Sequence, residues 1–195
     1  MANDEWAALA SLLGRLFFDG RTGVLFILLA VAAVFDVRTR RIPNWLTVTG
    51  AVYGIAYATA FPPVMHGTIL FPLVGLVVGF LLFFPLYVMR AMGAGDVKLL
   101  AMAGAFLGPL DTLYCALASV IAGGALSILW ALAHGTGLRL LRNIASLLPF
   151  QLGVVVGAPM TVRMTPATSA GKLPFATAIA GGTVGYLALH QLGLL

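Results

Sequence analysis

The chain of 195 residues is 61% hydrophobic and only 9% charged, with a mean hydropathy of +1.05. Soluble domains carry about 25% charged and 45–50% apolar residues, so this composition excludes a soluble globular protein and predicts a single polytopic membrane bundle. The net charge of +5 does not indicate nucleic-acid binding, because nine of the eleven Lys and Arg lie in or beside three connections that alternate with connections lacking them. This is the positive-inside pattern, which places those three connections in the cytoplasm. The nine residues are Arg38, Arg40, Arg41, Arg90, Lys98, Arg139, Arg142, Arg163 and Lys172.

The predicted fold is all-α, a bundle of six transmembrane helices preceded by an amphipathic helix. Residues 1–21 place apolar side chains at helical spacing among charged ones, which is typical of a helix at the membrane interface. Residues 22–195 form the membrane-embedded domain, and its long basic connection 134–172 predicts a further helix on the cytoplasmic surface. The fourth span is too short to cross a bilayer upright, so we expect it to be tilted or shielded by protein. The six spans are predicted at 22–36, 45–61, 69–89, 97–107, 113–133 and 173–192.

Several reactive side chains have ordinary explanations. Cys115 is the one cysteine, which excludes an intrachain disulfide and a thiolate metal site, and its apolar surroundings predict a buried structural thiol. His66, His134 and His190 are scattered over different connections and spans, so we expect no metal site and no cofactor. Asp111 reads as a solvated acid or cap in an external loop.

Asp36 and Asp96 are harder to explain as structural residues. A carboxylate at bilayer depth costs about 2.5–3.5 kcal/mol on insertion scales, so such residues are rare and usually functional. Asp96 follows a glycine-rich turn between two apolar runs, and each acid lies at the cytoplasmic end of a span, which places both at the same depth. Two facing carboxylates cannot both ionise easily, and a pair that shares one proton can activate water without a metal or cofactor. The pattern favours an aspartic peptidase.

The same two positions allow three other interpretations. The acids could form interfacial ion pairs with Arg38, Arg40 or Lys98. In a small proton- or cation-coupled transporter, both acids would bind the transported ion. An assembly scaffold would tolerate loss of either acid, so Asp→Asn substitution distinguishes these classes.

Each of the two acids belongs to a longer motif. The motifs are Asp36-Val37-Arg38-x-x-Arg41-Ile42-Pro43-Asn44 and Gly93-Ala94-Gly95-Asp96-Val97-Lys98-Leu99. A third segment, Lys172-Leu173-Pro174-Phe175-Ala176, precedes the last span. In this order the first two closely resemble the signature segments of the type IV prepilin peptidases, peptidase family A24, and the third resembles that family's Leu-Pro-Phe segment. The resemblance runs from about residue 22 to the C-terminus. It implies an integral membrane aspartic endopeptidase of the GxGD type.

By that resemblance Asp36 and Asp96 are the catalytic pair, and Gly93 and Gly95 shape the turn that presents Asp96. The resemblance leaves the role of Lys98 open. It implies supporting roles around the two acids and at the last span for Arg41, Pro43, Asn44, Pro174 and Phe175.

The implied substrates are prepilins or pseudopilins with a short basic leader and an apolar N-terminal helix. They are cut at the cytoplasmic face of a prokaryotic cytoplasmic (inner) membrane, usually just after a glycine. The implied partners are therefore this substrate and membrane lipid, with pilus or secretion assembly machinery as a further candidate and no nucleic acid. Bifunctional members carry an N-terminal insert with paired Cys-x-x-Cys motifs and also N-methylate the product. One cysteine and no such insert predict the short, CpaA/TadV-like form that processes Flp-type pilins, with no zinc and no methyltransferase activity.

Overall fold

The computed structural model describes residues 20–61, 69–89, 91–133 and 175–192, and this part of the chain is all-helical, as predicted. The predicted interfacial helix before residue 20 and the predicted surface helix within 134–172 lie outside the described residues. The described residues form six helices in chain order: α1 Gly20–Thr39, α2 Asn44–Ala60, α3 Leu70–Val88, α4 Ala94–Leu107, α5 Pro109–Ala133 and α6 Phe175–Gln191.

Three of these helices are long and apolar enough to cross a membrane, namely α1, α3 and the stretch Pro109–Trp130 of α5. Helices α2 and α6 have 17 residues each and α4 has 14. All three are shorter than the roughly 20 residues that an upright span needs. The helices therefore indicate a membrane protein, while six crossings stay a prediction.

The chain divides into two compact units, Met1–Gly123 with Pro174–Leu195 and Gly124–Leu173. The first unit contains the described parts of all three motifs. Of the second, the described residues include only the C-terminal end of α5.

Helix α4 lies at the centre of the first unit. From Asp96 to Leu107 each of its residues is buried except Lys98, and α2, α3 and α6 all contact it. A helix that is apolar all round is a buried helix. Protein therefore shields this short segment, which is one of the two arrangements that the sequence predicts.

Glycines let α3 approach α4 at backbone contact. A Cβ atom added at Gly75 would overlap the carbonyl oxygen of Gly104, and one at Gly79 would lie 2.6 Å from the carbonyl oxygen of Leu100. Small residues four apart are a common device for close packing of membrane helices. The contact fixes the position of α4, and with it that of Asp96 at its start.

Helix α2 packs on α4 by a similar device, with side chains instead of backbone facing the glycines. A Cβ atom at Gly54 would lie 2.8 Å from the Phe106 ring, and one at Gly50 would overlap the Met102 sulfur. Met102 and Phe106, one turn apart on α4, are fully buried between the helices. Glycine pairs on two neighbouring helices, α2 and α3, thus form much of the surface that packs on α4.

The turn between α4 and α5 differs from the prediction, which began the fifth span at residue 113 and placed Asp111 in a loop. Gly108, with a φ of 85°, ends α4, and Pro109 is already the first residue of α5. Proline suits a first helical position because its missing N–H has no partner there in any case. Asp111 therefore lies in the first turn of α5, where negative charge is favoured, and the prediction of a loop acid is wrong.

Candidate active site

The glycine turn before α4 holds the carboxylate of Asp96. Gly93 has extended backbone and precedes the helix, of which Asp96 is the third residue. The Oδ2 atom of Asp96 accepts a hydrogen bond from the Gly93 N–H at 3.1 Å, and the Asp96 N–H donates to the Gly93 carbonyl at 3.2 Å. This is the acidic half of a capping box, which satisfies a backbone donor at the helix start. The spacing of the motif therefore fixes the direction of the carboxylate.

Asp36 lies inside α1, which continues to Thr39, whereas the first span was predicted to end at Asp36. Its Oδ2 atom accepts a hydrogen bond from the Ala176 N–H at 3.0 Å, from a residue 140 positions away. Ala176 is the second residue of α6, so this N–H has no acceptor within its own helix. The carboxylate of Asp36 thus caps α6 at the helix end that favours negative charge.

Both acids are buried, each only 8% exposed. Asp96 lies outside the three helices that are long enough to cross a membrane. The pKa of Asp96 is raised from 3.8 to about 6, chiefly by burial and to a smaller extent by the charge of Asp36, with the Gly93 N–H acting in the opposite direction. The structure therefore brings the two acids close enough for the charge of one to affect the protonation of the other.

A tight loop links the helix of Asp36 to α2. Arg40 adopts left-handed backbone with a φ of 54°, and its N–H donates to the Asp36 carbonyl at 2.9 Å. For a residue other than glycine this conformation costs roughly 1–2 kcal/mol. Pro43 then precedes α2 in extended conformation, and Arg41 between them is exposed. The chain thus reverses within one turn of Asp36.

Two contacts join this loop to the start of α4. The side chain of Ile42 packs on Gly95, where an added Cβ would lie 3.1 Å from it, tighter than an ordinary contact. The Lys98 ammonium donates to the Asn44 side-chain oxygen at 2.9 Å. The two motifs that carry the acids are therefore held together, and Lys98 binds an amide on the exposed face while Asp96 points inward.

The third motif contributes through α6. Phe175 opens the helix, and its ring packs edge-on against Phe83 of α3 with centroids 6.0 Å apart. Pro174 lies outside the described residues. The start of α6, and so the Ala176 donor, is thus anchored against α3 as well as Asp36.

A family model described as the type IV leader peptidase family matches residues 23–128, more than half of the chain. The chain belongs to the type IV leader peptidase family. The motif resemblance predicted this membership. Searches of curated proteins and of solved structures found no match.

In this member of the type IV leader peptidase family, the matched range includes both acids and both of their motifs but ends before α6. Sequence reasoning named Phe175 but missed the Ala176 N–H. A backbone donor has no residue-type signature, and the one available signal was that a helix start always leaves donors unpaired. The contact between α6 and Asp36 is therefore a finding of the structure.

Metal-binding side chains are not grouped in the part of the chain that the structure describes. There, no three His, Cys, Asp or Glu residues lie close enough together to hold a metal ion. Cys115 is fully buried, as predicted for a structural thiol. The candidate site thus consists of Asp36, Asp96 and the backbone donors that hold them.

Proposed function

We propose that this protein is an aspartic endopeptidase of the GxGD type that removes the leader from prepilins or pseudopilins. The observation that carries the proposal is that two buried acids, each from a separate motif, lie within range of each other's charge. Structural acids at an interface would be expected to pair with basic side chains. Among the described residues, the hydrogen-bond donors to Asp36 and Asp96 are backbone amides, and Lys98 binds Asn44 instead.

The surroundings of Asp36 and Asp96 suggest a different catalytic role for each acid. Asp96 has the raised pKa, so it is the member that carries the shared proton and donates it to the substrate carbonyl oxygen. Asp36, which accepts the Ala176 N–H, takes a proton from the attacking water. The water oxygen then bonds to the carbonyl carbon, which gives a tetrahedral gem-diol. As the peptide bond breaks, the proton gained by Asp36 passes to the leaving amine, and a hydroxyl of the gem-diol returns a proton to Asp96, which leaves a carboxylic acid and restores the pair. The pH dependence belongs to the pair and not to either acid alone.

The charge pattern supports an active site that faces the cytoplasm. Three exposed arginines lie within five residues after Asp36, namely Arg38, Arg40 and Arg41. Lys98, two residues after Asp96, is also exposed. Basic residues next to spans favour the cytoplasmic side. We therefore place the protein in a prokaryotic cytoplasmic membrane, with the substrate's apolar helix in the bilayer and its leader junction at the depth of the two acids.

The test is cleavage by the purified protein in lipid vesicles of a precursor with a short basic leader, a glycine at the junction and an apolar helix. Mass spectrometry of the product should show loss of the leader at a single peptide bond. In parallel, proton and cation flux across the vesicle membrane is measured. An uncut precursor together with coupled flux would reject the peptidase in favour of a transporter.

We expect cleavage to slow as the pH rises through about 6. Asp96 must be protonated to donate to the carbonyl oxygen, and above its raised pKa of about 6 the protonated fraction falls tenfold per pH unit. Initial rates between pH 5 and 8, at saturating substrate, measure this alkaline limb. The melting temperature at each pH controls for unfolding, and a rate that stays constant or increases from pH 6 to 8 contradicts the assignment of the proton to Asp96.

A further inference from the structure

Helix α6 is hydrogen-bonded to an acid near each of its ends. At its start the Ala176 N–H donates to Asp36 on α1, at 3.0 Å. Near its end the Tyr186 hydroxyl donates to the Oδ1 atom of Asp111 on α5, at 2.9 Å. One of these acids belongs to the candidate site and the other does not.

The hydrogen bond between Tyr186 and Asp111 lies among closely packed aromatic side chains. Tyr186 is only 5% exposed, and its ring stacks on Tyr114 with centroids 5.6 Å apart and planes 14° apart. His190 follows one turn later on α6, with its ring centroid 5.8 Å from that of Tyr186. Asp111 is half-buried in the first turn of α5. A hydrogen bond to a carboxylate in such surroundings is stronger than one between neutral groups.

Between its two ends α6 meets α5 at a contact between the two helix backbones. A Cβ atom added at Gly182 would lie 2.6 Å from the Cα of Ser119, so the two backbones touch there. The Ser119 hydroxyl donates to the Cys115 carbonyl of its own helix at 2.6 Å and so does not tie α6. Backbone meets backbone at this point, so the contact can act as a pivot, and the Phe175 ring, which packs on Gly123 of α5 and on Phe83 of α3, lies beside Ala176 at the start of α6.

The pivot lies between the two hydrogen bonds. At a rise of 1.5 Å per residue, Ala176 is about 9 Å from Gly182 on one side and Tyr186 is about 6 Å away on the other. A tilt that moves Tyr186 by about 0.3 Å thus moves Ala176 by about 0.5 Å, which would lengthen its 3.0 Å bond to the limit of a hydrogen bond.

We propose that Tyr186 is a positioning residue, whose hydrogen bond to Asp111 sets the tilt of α6 and so keeps the Ala176 N–H on the carboxylate of Asp36. This inference rests on the proposed function, because it assigns Asp36 a reacting role. Tyr186 itself stays about 15 Å along the helix from Ala176 and does not touch the substrate.

The test is Tyr186→Phe in the full-length protein, with Tyr114→Phe as the matched control. Both remove one hydroxyl and retain the stacked rings, but only Tyr186 donates to Asp111. We expect Tyr186→Phe to lower kcat for leader cleavage by about 3–10-fold with KM unchanged, since binding is not involved. Tyr114→Phe should stay within about twofold of the parent.

Substitution of Asp111, which accepts the Tyr186 hydroxyl, provides a second test. Asp111→Asn retains a side-chain oxygen for the Tyr186 hydroxyl and should keep most of the activity, while Asp111→Leu should match Tyr186→Phe. The double variant Tyr186→Phe with Asp111→Leu should be no slower than either single one, because both remove the same bond. A structural role alone would not predict this rescue by Asn.

Amide hydrogen exchange tests the coupling independently of cleavage. Exchange at Ala176 should accelerate in Tyr186→Phe and not in Tyr114→Phe, whether or not a substrate has been identified. Unchanged exchange at Ala176 in Tyr186→Phe overturns the inference, and so does equal kcat for the two Phe variants. If the exchange result holds while the parent protein fails to cut any precursor, the coupling stands and the proposed function fails.

Discussion

Asp36→Asn and Asp96→Asn are each expected to lower kcat for leader cleavage by about 10²–10⁴-fold, the usual contribution of a positioned acid or base. Asn has the shape of Asp and retains a side-chain oxygen. It can still accept the N–H of Ala176 at position 36 and that of Gly93 at position 96. The variants therefore lose proton transfer while keeping the contacts that hold the site.

Asp96→Asn should also differ from the parent in stability, which separates catalysis from folding. The folded protein holds the proton of Asp96 more tightly than the unfolded chain does, because burial raises its pKa from 3.8 to about 6. The stabilisation from this group is fully present below pH 3.8 and is lost as the pH rises through about 6. Above that pH the buried charge costs about 1–3 kcal/mol, and Asp96→Asn removes this cost.

Melting temperatures in detergent at pH 5 and pH 8 measure the difference. The melting temperature of the parent should fall between these values more than that of Asp96→Asn, which should be inactive and yet more stable at pH 8. Cleavage that persists in either Asn variant would show that the acid concerned is not required, and a transporter or scaffold would then be the better interpretation.

Much of the candidate site could be predicted from the sequence because short motifs determine it locally. The spacing from Gly93 to Asp96 is that of a capping residue and the third residue of a helix, so the turn and its hydrogen bond follow from four residues. The role of Lys98 was left open by the sequence; neighbours two apart on a helix diverge, and Lys98 binds Asn44 on the exposed face.

Contacts between distant segments could not be predicted in the same way. The Asn44 and Lys98 pair spans 54 positions and the Asp36 and Ala176 pair spans 140. Both depend on how whole helices pack, and one of the donors is a backbone N–H that any residue would supply. Asp111 was misplaced for a local reason, because the predicted spans ended at 107 and began again at 113, whereas Pro109 already starts the next helix.

The glycine pairs were the strongest unused signal in the sequence. Gly75 and Gly79 have the spacing of four that is typical of close helix packing, and the prediction of the third span made no use of it. The structure shows that they bring α3 to backbone contact with α4 at Gly104. This contact leads to the second large effect that we expect.

Gly104→Ala is expected to destabilise the fold by about 3 kcal/mol or more. The added methyl group would overlap the carbonyl oxygen of Gly75, which is backbone and cannot rotate away. The helices must separate, and α4 is buried on its other sides, so the strain spreads through the packed centre. Gly181→Ala is the matched control, because a Cβ atom there meets nothing within 4 Å. It should leave stability unchanged or raise it by up to about 1 kcal/mol, the helix propensity of Ala over Gly.

Thermal unfolding in detergent and leader cleavage should change together in Gly104→Ala. Asp96 lies eight residues before Gly104 on the same rigid helix, about 12 Å away, so a shift of α4 displaces the acid as well. The surviving folded protein should therefore also cleave more slowly than Gly181→Ala at equal folded concentration. If Gly104→Ala melted and cleaved like the parent, the backbone contact between α3 and α4 would not be what positions Asp96. The start of α4 would then be held chiefly by Ile42 on Gly95 and by Lys98 on Asn44.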